Sequence, residues 1–250
     1  MRALGIDIGS RAIKLALLED GRVLEERRVP TTFDPASQAA DLMRGLRWDT
    51  IVATGYGRRL LVGPPGLRII TEIKACALGV AAALPAAKTI LDIGGQDTKA
   101  IAVGDDGRVL RFEMNDRCAA GTGKFLEFMA AGLQVPVEEF GEFALEGRPG
   151  ATISSMCTVF AETEAISLMA QGRKARDIAL ALHHSVVKRS LSMLARVGPE
   201  PPLAFCGGVA LNACVRSLLQ AEVGLPLLVP TRPEMMAARG AALAAAALRP

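Results

Sequence analysis

One sequence device opens both halves of this 250-residue chain. Ala3-Leu4-Gly5-Ile6-Asp7-Ile8-Gly9-Ser10 reads as a strand ending in an Asp-x-Gly turn. Residues 12–18 read as a second strand, Asp20-Gly21 as a hairpin turn and residues 23–29 as a third strand. The device returns at Thr89-Ile90-Leu91-Asp92-Ile93-Gly94-Gly95-Gln96-Asp97-Thr98-Lys99, with strands over 99–103 and 109–113 around an Asp105-Asp106-Gly107 turn. An internal repeat constrains a fold more than any single motif, because it calls for two similar lobes rather than one core. Each turn offers backbone amides to a phosphate and a carboxylate to a hydrated cation. Two such turns could close on one polyphosphate from both sides. Mg²⁺ would then sit between Asp7 and Asp92, directly or through water, with Lys14 adding charge and Gln96 and Asp97 coordinating or positioning water. Either hairpin alone would pass for an ordinary turn with an Asp in it.

Between the repeats, residues 35–46 read as a helix, 50–54 as a strand and 68–70 as a short strand. Gly55-Tyr56-Gly57-Arg58 is a tight loop, either a ligand contact or a plain crossover. Residues 72–83 read as a helix with Cys76 buried on it. After the second repeat comes Asn115-Asp116-Arg117-Cys118-Ala119-Ala120-Gly121-Thr122-Gly123, followed by Phe125, Leu126, Phe128 and Met129 at helical spacing. This places Cys118 just before a helix start, where free amides and the positive end of the helix dipole favour an anion. That anion could be a phosphate, a thiolate or a thiolate-held metal cluster. Residues 141–144 and 147–150 read as a linker, and 151–155 lead into Cys157, a second cysteine at a helix start. Thirty-nine residues separate the two cysteines, so spacing alone does not make them a metal site. A long helix over 177–197 carries His183 and His184, which as neighbours do not share a helix face and read as structural or surface residues. Phe205-Cys206-Gly207-Gly208-Val209-Ala210-Leu211-Asn212 is a strand, a Gly-Gly turn and a helix start. It either admits an adenosine, with Asn212 as a hydrogen-bond partner, or is a generic connection. A strand over 225–229 and a helix over 235–248 finish the chain.

Composition narrows the classes. Half the residues are hydrophobic, enough for a sizeable core, and the net charge of +3 is mild. With no basic block and 4% aromatics, nucleic-acid binding is not expected. No signal peptide is read at the start, and the Ala-rich run 237–248, broken by Arg239, is too short to span a bilayer. A cytoplasmic protein without membrane contact is expected. Five cysteines in that setting argue against a disulfide framework and leave metal or redox roles open.

Taken in order, these motifs are similar to those of the actin, sugar-kinase and heat-shock ATPase superfamily. Within it they resemble the ATP-dependent iron–sulfur activators of 2-hydroxyacyl-CoA dehydratases and the related benzoyl-CoA reductase ATPase subunits. The residues carrying the resemblance are Asp7-Ile-Gly-Ser10, Gly55-Tyr-Gly-Arg58, Asp92-Ile-Gly-Gly-Gln-Asp97, Asn115 through Gly123, Cys157-Thr-Val-Phe-Ala-Glu162 and Gly207 through Asn212. The resemblance implies an α/β fold of two ribonuclease-H-like lobes. The first would take residues 1–88, completed by the C-terminal helix, and the second residues 89–250. It implies Asp7, Asp92, Gln96 and Asp97 as catalytic residues. Nucleotide contacts fall to Gly9, Ser10, Arg11, Lys14, Gly94, Gly95, Gly121, Thr122, Gly123, Gly207, Gly208, Asn212 and Glu234. It implies ATP or ADP with Mg²⁺, and one [4Fe–4S] cluster shared by a homodimer through Cys118 and Cys157 of each chain. A flavodoxin or ferredoxin would donate the electron and an acyl-CoA dehydratase or reductase would accept it. Two departures stand out: Glu234 replaces a usual Gln and Arg239 a usual apolar residue. A small-molecule kinase of the superfamily, or a nucleotide-binding scaffold, would use the hairpins but leave the cysteine motifs without an electron-transfer role.

Overall fold

The computed structural model describes residues 1–154 and 157–248. The chain divides into two compact units. The first comprises Met1–Lys88, Val103–Arg111 and Pro230–Pro250, and the second Thr89–Ala102 and Phe112–Val229.

In the first unit, β1 (Arg2–Ile8), β2 (Ala12–Glu19) and β3 (Arg22–Pro30) form an antiparallel meander, followed by α1 (Pro35–Met43), β4 (Thr50–Thr54), β5 (Arg68–Ile69) and α2 (Glu72–Ala83). The sheet order is β3-β2-β1-β4-β5, with β4 parallel to β1. Asp20 and Gly21 both have positive φ, the requirement of the tight hairpin turn their sequence announces. β1 is buried on both faces, as a central strand flanked by helices should be. Leu4, Ile6 and Ile8 share one core with Ala39, Leu42 and Met43 of α1. The opposite face is closed by the last helix, α8 (Met236–Ala246). α8 is built of Ala and Gly because it lies at backbone distance. A Cβ on Gly5 would come 2.1 Å from the Ala242 amide nitrogen, and one on Gly240 would come 1.7 Å from the Ala75 carbonyl.

The second unit repeats the plan. β6 (Thr89–Ile93), β7 (Thr98–Val103) and β8 (Val109–Asn115) lead to four helices: α3 (Gly123–Gly132), α4 (Phe140–Leu145), α5 (Thr158–Ala170) and α6 (Ala175–Val197). Then come β9 (Leu203–Cys206), a 3-10 turn at Gly208–Leu211, α7 (Ala213–Glu222) and β10 (Leu227–Leu228). Its sheet order, β10-β9-β6-β7-β8, is the order of the first sheet read backwards, and β9 is parallel to β6 as β4 is to β1. Phe125 and Met129 of α3, Phe140 of α4, Leu182 and Val186 of α6 and Phe205 of β9 share its core.

Three expectations are corrected. Residues 141–144 are helix, not linker. Gly141 is there for contact, since a Cβ would meet the Asn212 side-chain oxygen at 2.8 Å, and Gly147 lets the chain pass the Arg176 carbonyl. Ser155, in the stretch read as leading into Cys157, lies outside the described residues. The strand read over 225–229 is two residues long, and the final helix starts one residue later than expected, after a 3-10 turn at Pro233–Met235. No helix among the described residues is long and apolar enough to cross a membrane.

Candidate functional site

Both Asp-x-Gly turns fold to one pattern. In the first, Asp7 lies opposite Lys14 across β1 and β2, and the Lys14 ammonium donates to Asp7 Oδ2 at 2.9 Å. In the second, Asp92 lies opposite Lys99 across β6 and β7, 3.3 Å from its Nζ. Lys99 was not singled out in the sequence, yet Asp-Ile-Gly-x4-Lys occurs at both 7–14 and 92–99. The equal spacing of the two lysines was the available signal.

Each carboxylate is also closed in by a glycine at the end of the parallel neighbour strand. Gly55, after β4, has φ +91°, and a Cβ there would meet Asp7 Oδ1 and the Ile8 carbonyl at 2.5 Å. Gly207, after β9, has φ +85°, and its Cβ would meet Asp92 Oδ1 at 2.4 Å and the Ile93 carbonyl at 2.3 Å. Only glycine fits both the backbone angle and the space. The Gly55-Tyr56-Gly57-Arg58 loop is therefore the first unit's counterpart of the Gly207-Gly208 turn. It is fastened by Gly57 N donating to the Ile8 carbonyl and Arg58 Nη1 to the Gly55 carbonyl.

The turns differ in charge and anchoring. The first runs Gly9-Ser10-Arg11-Ala12, and its Gly9 and Arg11 carbonyls accept from Thr31. The second runs Gly94-Gly95-Gln96-Asp97. Asp97 folds back over Gly94, whose Cβ would stand 2.2 Å from Asp97 Oδ1, and its other oxygen takes Lys99 Nζ at 2.5 Å. Asp7, Asp92 and Lys99 are all buried.

The second turn is tied to the Cys118 loop. Gly123 N donates to the Gly94 carbonyl at 3.0 Å and Lys124 N to the Gly95 carbonyl at 2.8 Å. Thr98 Oγ1 donates to the Gly121 carbonyl, and Thr122 Oγ1 to that of Ala119. This corrects the expected picture of Cys118. The first amides of α3 serve the hairpin, and a turn at residues 119–122, with Gly121 at φ +81°, separates Cys118 from the helix. The Cys118 carbonyl instead accepts from Asn115 Nδ2. Cys157 does stand at a helix start: it is the N-cap of α5, and its side chain does not cap the amides there.

Of the five free cysteines, Cys118 is half-buried and Cys157 exposed, whereas Cys76, Cys206 and Cys214 are buried. Burial, with a lesser contribution from Glu142, pushes the Cys214 thiol up to about 12, so it stays protonated.

Asn212 is engaged within the fold. Its side-chain oxygen accepts from Val215 N and caps α7, while Nδ2 meets His183 Nε2 at 3.0 Å. His183 Nδ1 donates in turn to the Ala179 carbonyl, and burial drives this ring down to about 4, keeping it neutral. Glu234 lies in the first unit beside Arg232; its Oε2 is buried without a hydrogen bond among the described residues. Arg239 pairs with the buried Glu26 carboxylate of β3 at 2.6 Å. Thus Asp7, Gly9, Ser10, Arg11, Lys14 and Glu234 belong to the first unit. Asp92, Gly94 to Asp97, Cys118, Gly121 to Gly123, Cys157, Gly207, Gly208 and Asn212 belong to the second. Among the described residues no three His, Cys, Asp or Glu side chains group as a metal centre.

The profile of the BadF/BadG/BcrA/BcrD ATPase family matches residues 4–245. The activator of lactoyl-CoA dehydratase from Anaerotignum propionicum is 40% identical, over 97% of this chain and 96% of its own. The activator of the 2-hydroxyisocaproyl-CoA dehydratase from Clostridium difficile, solved with bound ADPNP, superposes with a TM-score of 0.90 at 37% identity, covering 98% of this chain and 94% of its own. A glucokinase of the ROK family from Streptomyces griseus shares the fold alone, at a TM-score of 0.59 and 14% identity over 98% of this chain and 99% of its own. The α/β architecture is that of the actin-like ATPases.

Proposed function

The chain belongs to the BadF/BadG/BcrA/BcrD ATPase family, and on that premise we propose that it is an ATP-hydrolysing electron-transfer activator of a 2-hydroxyacyl-CoA dehydratase-type enzyme. Two copies share one [4Fe–4S] cluster through Cys118 and Cys157, a flavodoxin or ferredoxin supplies the electron, and the dehydratase receives it. Near relatives named as activators of such dehydratases, one of them holding an ATP analogue, support the reading.

The residues present fit both implied groups. Only Cys118 and Cys157 reach the surface, and two cysteines from each of two chains make the four thiolates such a cluster takes. A cluster held there supplies a one-electron carrier. Asp92 and Asp97 offer the carboxylate oxygens that a hard cation such as Mg²⁺ prefers, and the Lys99 ammonium already occupies a cation's place between them. The glycine turns bind phosphates through backbone amides, Arg11 and Lys14 add positive charge, and Gln96 orients the attacking water.

One observation carries the coupling of hydrolysis to electron transfer. The carbonyls of Gly94 and Gly95 are held by the first amides of α3, and Thr98 is held to Gly121. A shift of the phosphate turn thereby pulls directly on the loop bearing Cys118.

Anaerobic purification tests the proposal. A brown dimer with about two iron atoms per chain is expected, and Cys118→Ala or Cys157→Ala loses the colour and weakens the dimer. A colourless monomer that phosphorylates a small metabolite would overturn it.

A further inference from the structure

The hairpins carry opposite charge. Residues 7–14 hold one carboxylate, Asp7, against Arg11 and Lys14, a net of +1. Residues 92–99 hold Asp92 and Asp97 against Lys99 alone, a net of −1. The position that is Ala12 in the first turn is Asp97 in the second, one residue before the last paired position of each hairpin. The Lys99 side chain is 4% exposed, and its ammonium sits 2.5 Å from Asp97 Oδ2 and 3.3 Å from Asp92 Oδ2.

We infer that Lys99 makes cation binding at Asp92 and Asp97 conditional on nucleotide. The inference rests on the proposed ATPase reading. With Lys99 in place, a divalent ion entering between the two carboxylates would turn a net charge of −1 into +1. The ion would stand beside an ammonium in a buried setting, where like charges repel far more than in water. Phosphate oxygens supply the missing negative charge and a new partner for the ammonium when the metal takes its place between the carboxylates. The metal is therefore accepted with its nucleotide and refused without it. Lys14, facing one carboxylate beside Arg11, has no such task. Lys99 is in this sense a specificity-determining residue: it makes the second hairpin select a metal–nucleotide complex over free metal.

Mn²⁺ binding, read from the loss of the free-ion electron paramagnetic resonance signal, tests this without any assay of turnover. Wild-type protein free of nucleotide is expected to leave Mn²⁺ unbound at concentrations where Lys99→Met binds it at least about tenfold more tightly. Lys14→Met, whatever it costs in nucleotide affinity, is expected to leave Mn²⁺ unbound in the absence of nucleotide, as wild type does. The double variant Lys99→Met/Asp97→Asn should lose the new site. Wild type binding Mn²⁺ without nucleotide as tightly as with it overturns the inference, and this arm needs no variant. So does a Lys99→Met protein that melts like wild type but gains no Mn²⁺ site. Nucleotide binding is measured alongside on wild type: failure to bind ADP or ATP at all sinks the ATPase reading, whereas normal nucleotide binding with no Mn²⁺ gain in Lys99→Met sinks only the role of Lys99.

Discussion

The two units answer one structural problem twice and then diverge. In both, an Asp at the end of the first strand is held by a Lys seven residues on and capped by a positive-φ glycine from the parallel neighbour strand. The first hairpin then acquires Arg11 and the second acquires Asp97, and their anchors differ accordingly. Thr31, just after β3, holds the first turn, while α3 and the Cys118 loop hold the second. The shared parts set geometry. The divergent parts give the first hairpin a net positive charge and the second a net negative one, and tie the second to the cysteine loop. A duplicated fold can thus keep its backbone and separate its chemistry with one or two substitutions.

The sharpest way to break this comparison is to remove each aspartate. Asp7→Ala and Asp92→Ala are both expected to cut ATP hydrolysis by about 10²–10⁴, measured by phosphate release, with iron content unchanged. Only Asp92→Ala should raise the Mg²⁺ concentration needed for residual activity; equal Mg²⁺ dependence in the two would erase the proposed division. Next come the capping glycines. Gly55→Ala and Gly207→Ala should each cost about 1–3 kcal/mol in urea unfolding, because each meets a carboxylate and a carbonyl at once. Markedly unequal costs would mean the turns are not the same device. Copying the second hairpin's charge into the first, Ala12→Asp, should weaken ADP binding about tenfold, on the order of 1.4 kcal/mol by calorimetry. Unchanged affinity would show that net charge at that turn does not matter.

The mildest effect concerns acid. Both histidines lie in the second unit, and His183 is buried and neutral, pushed down to about 4 from 6.5. The unfolded chain takes up a proton near 6.5 and the folded one only near 4. This contribution is therefore complete above pH 6.5 and is lost as pH falls from 6.5 to about 4. Hydrogen exchange should show the second unit loosening over that window, with little change between pH 7 and pH 6.5. A loss confined to the first unit would contradict the assignment.

Much of this was legible because the repeat is written in local signals. Asp-x-Gly turns, positive-φ turn residues at Asp20-Gly21 and the apolar run of β1 all act over a few residues. Other features were hidden because they act over distance. Gly141 looked like a helix breaker and is a packing glycine against Asn212, a residue far along the chain. Gly55 looked like crossover punctuation until the parallel pairing of β4 with β1 set it against Asp7. Lys99 carries no local signal of enclosure; the pairing register sets it opposite Asp92, and the folded turn brings Asp97 to its other side. The α3 amides looked available to an anion because their acceptors, Gly94 and Gly95, lie in another element.

The helix α8 carries a consequence for how this protein comes into being. It packs backbone to backbone on β1 and α2, yet it follows the whole second unit in the chain. During synthesis the central sheet of the first unit emerges early and waits, one apolar face uncovered, until residues 236–246 clear the ribosome. The second unit meets no such delay, since Thr89–Ala102 and Phe112–Val229 have all emerged before α8 exists. The order of birth is therefore the reverse of the order of completion: the half begun first is finished last.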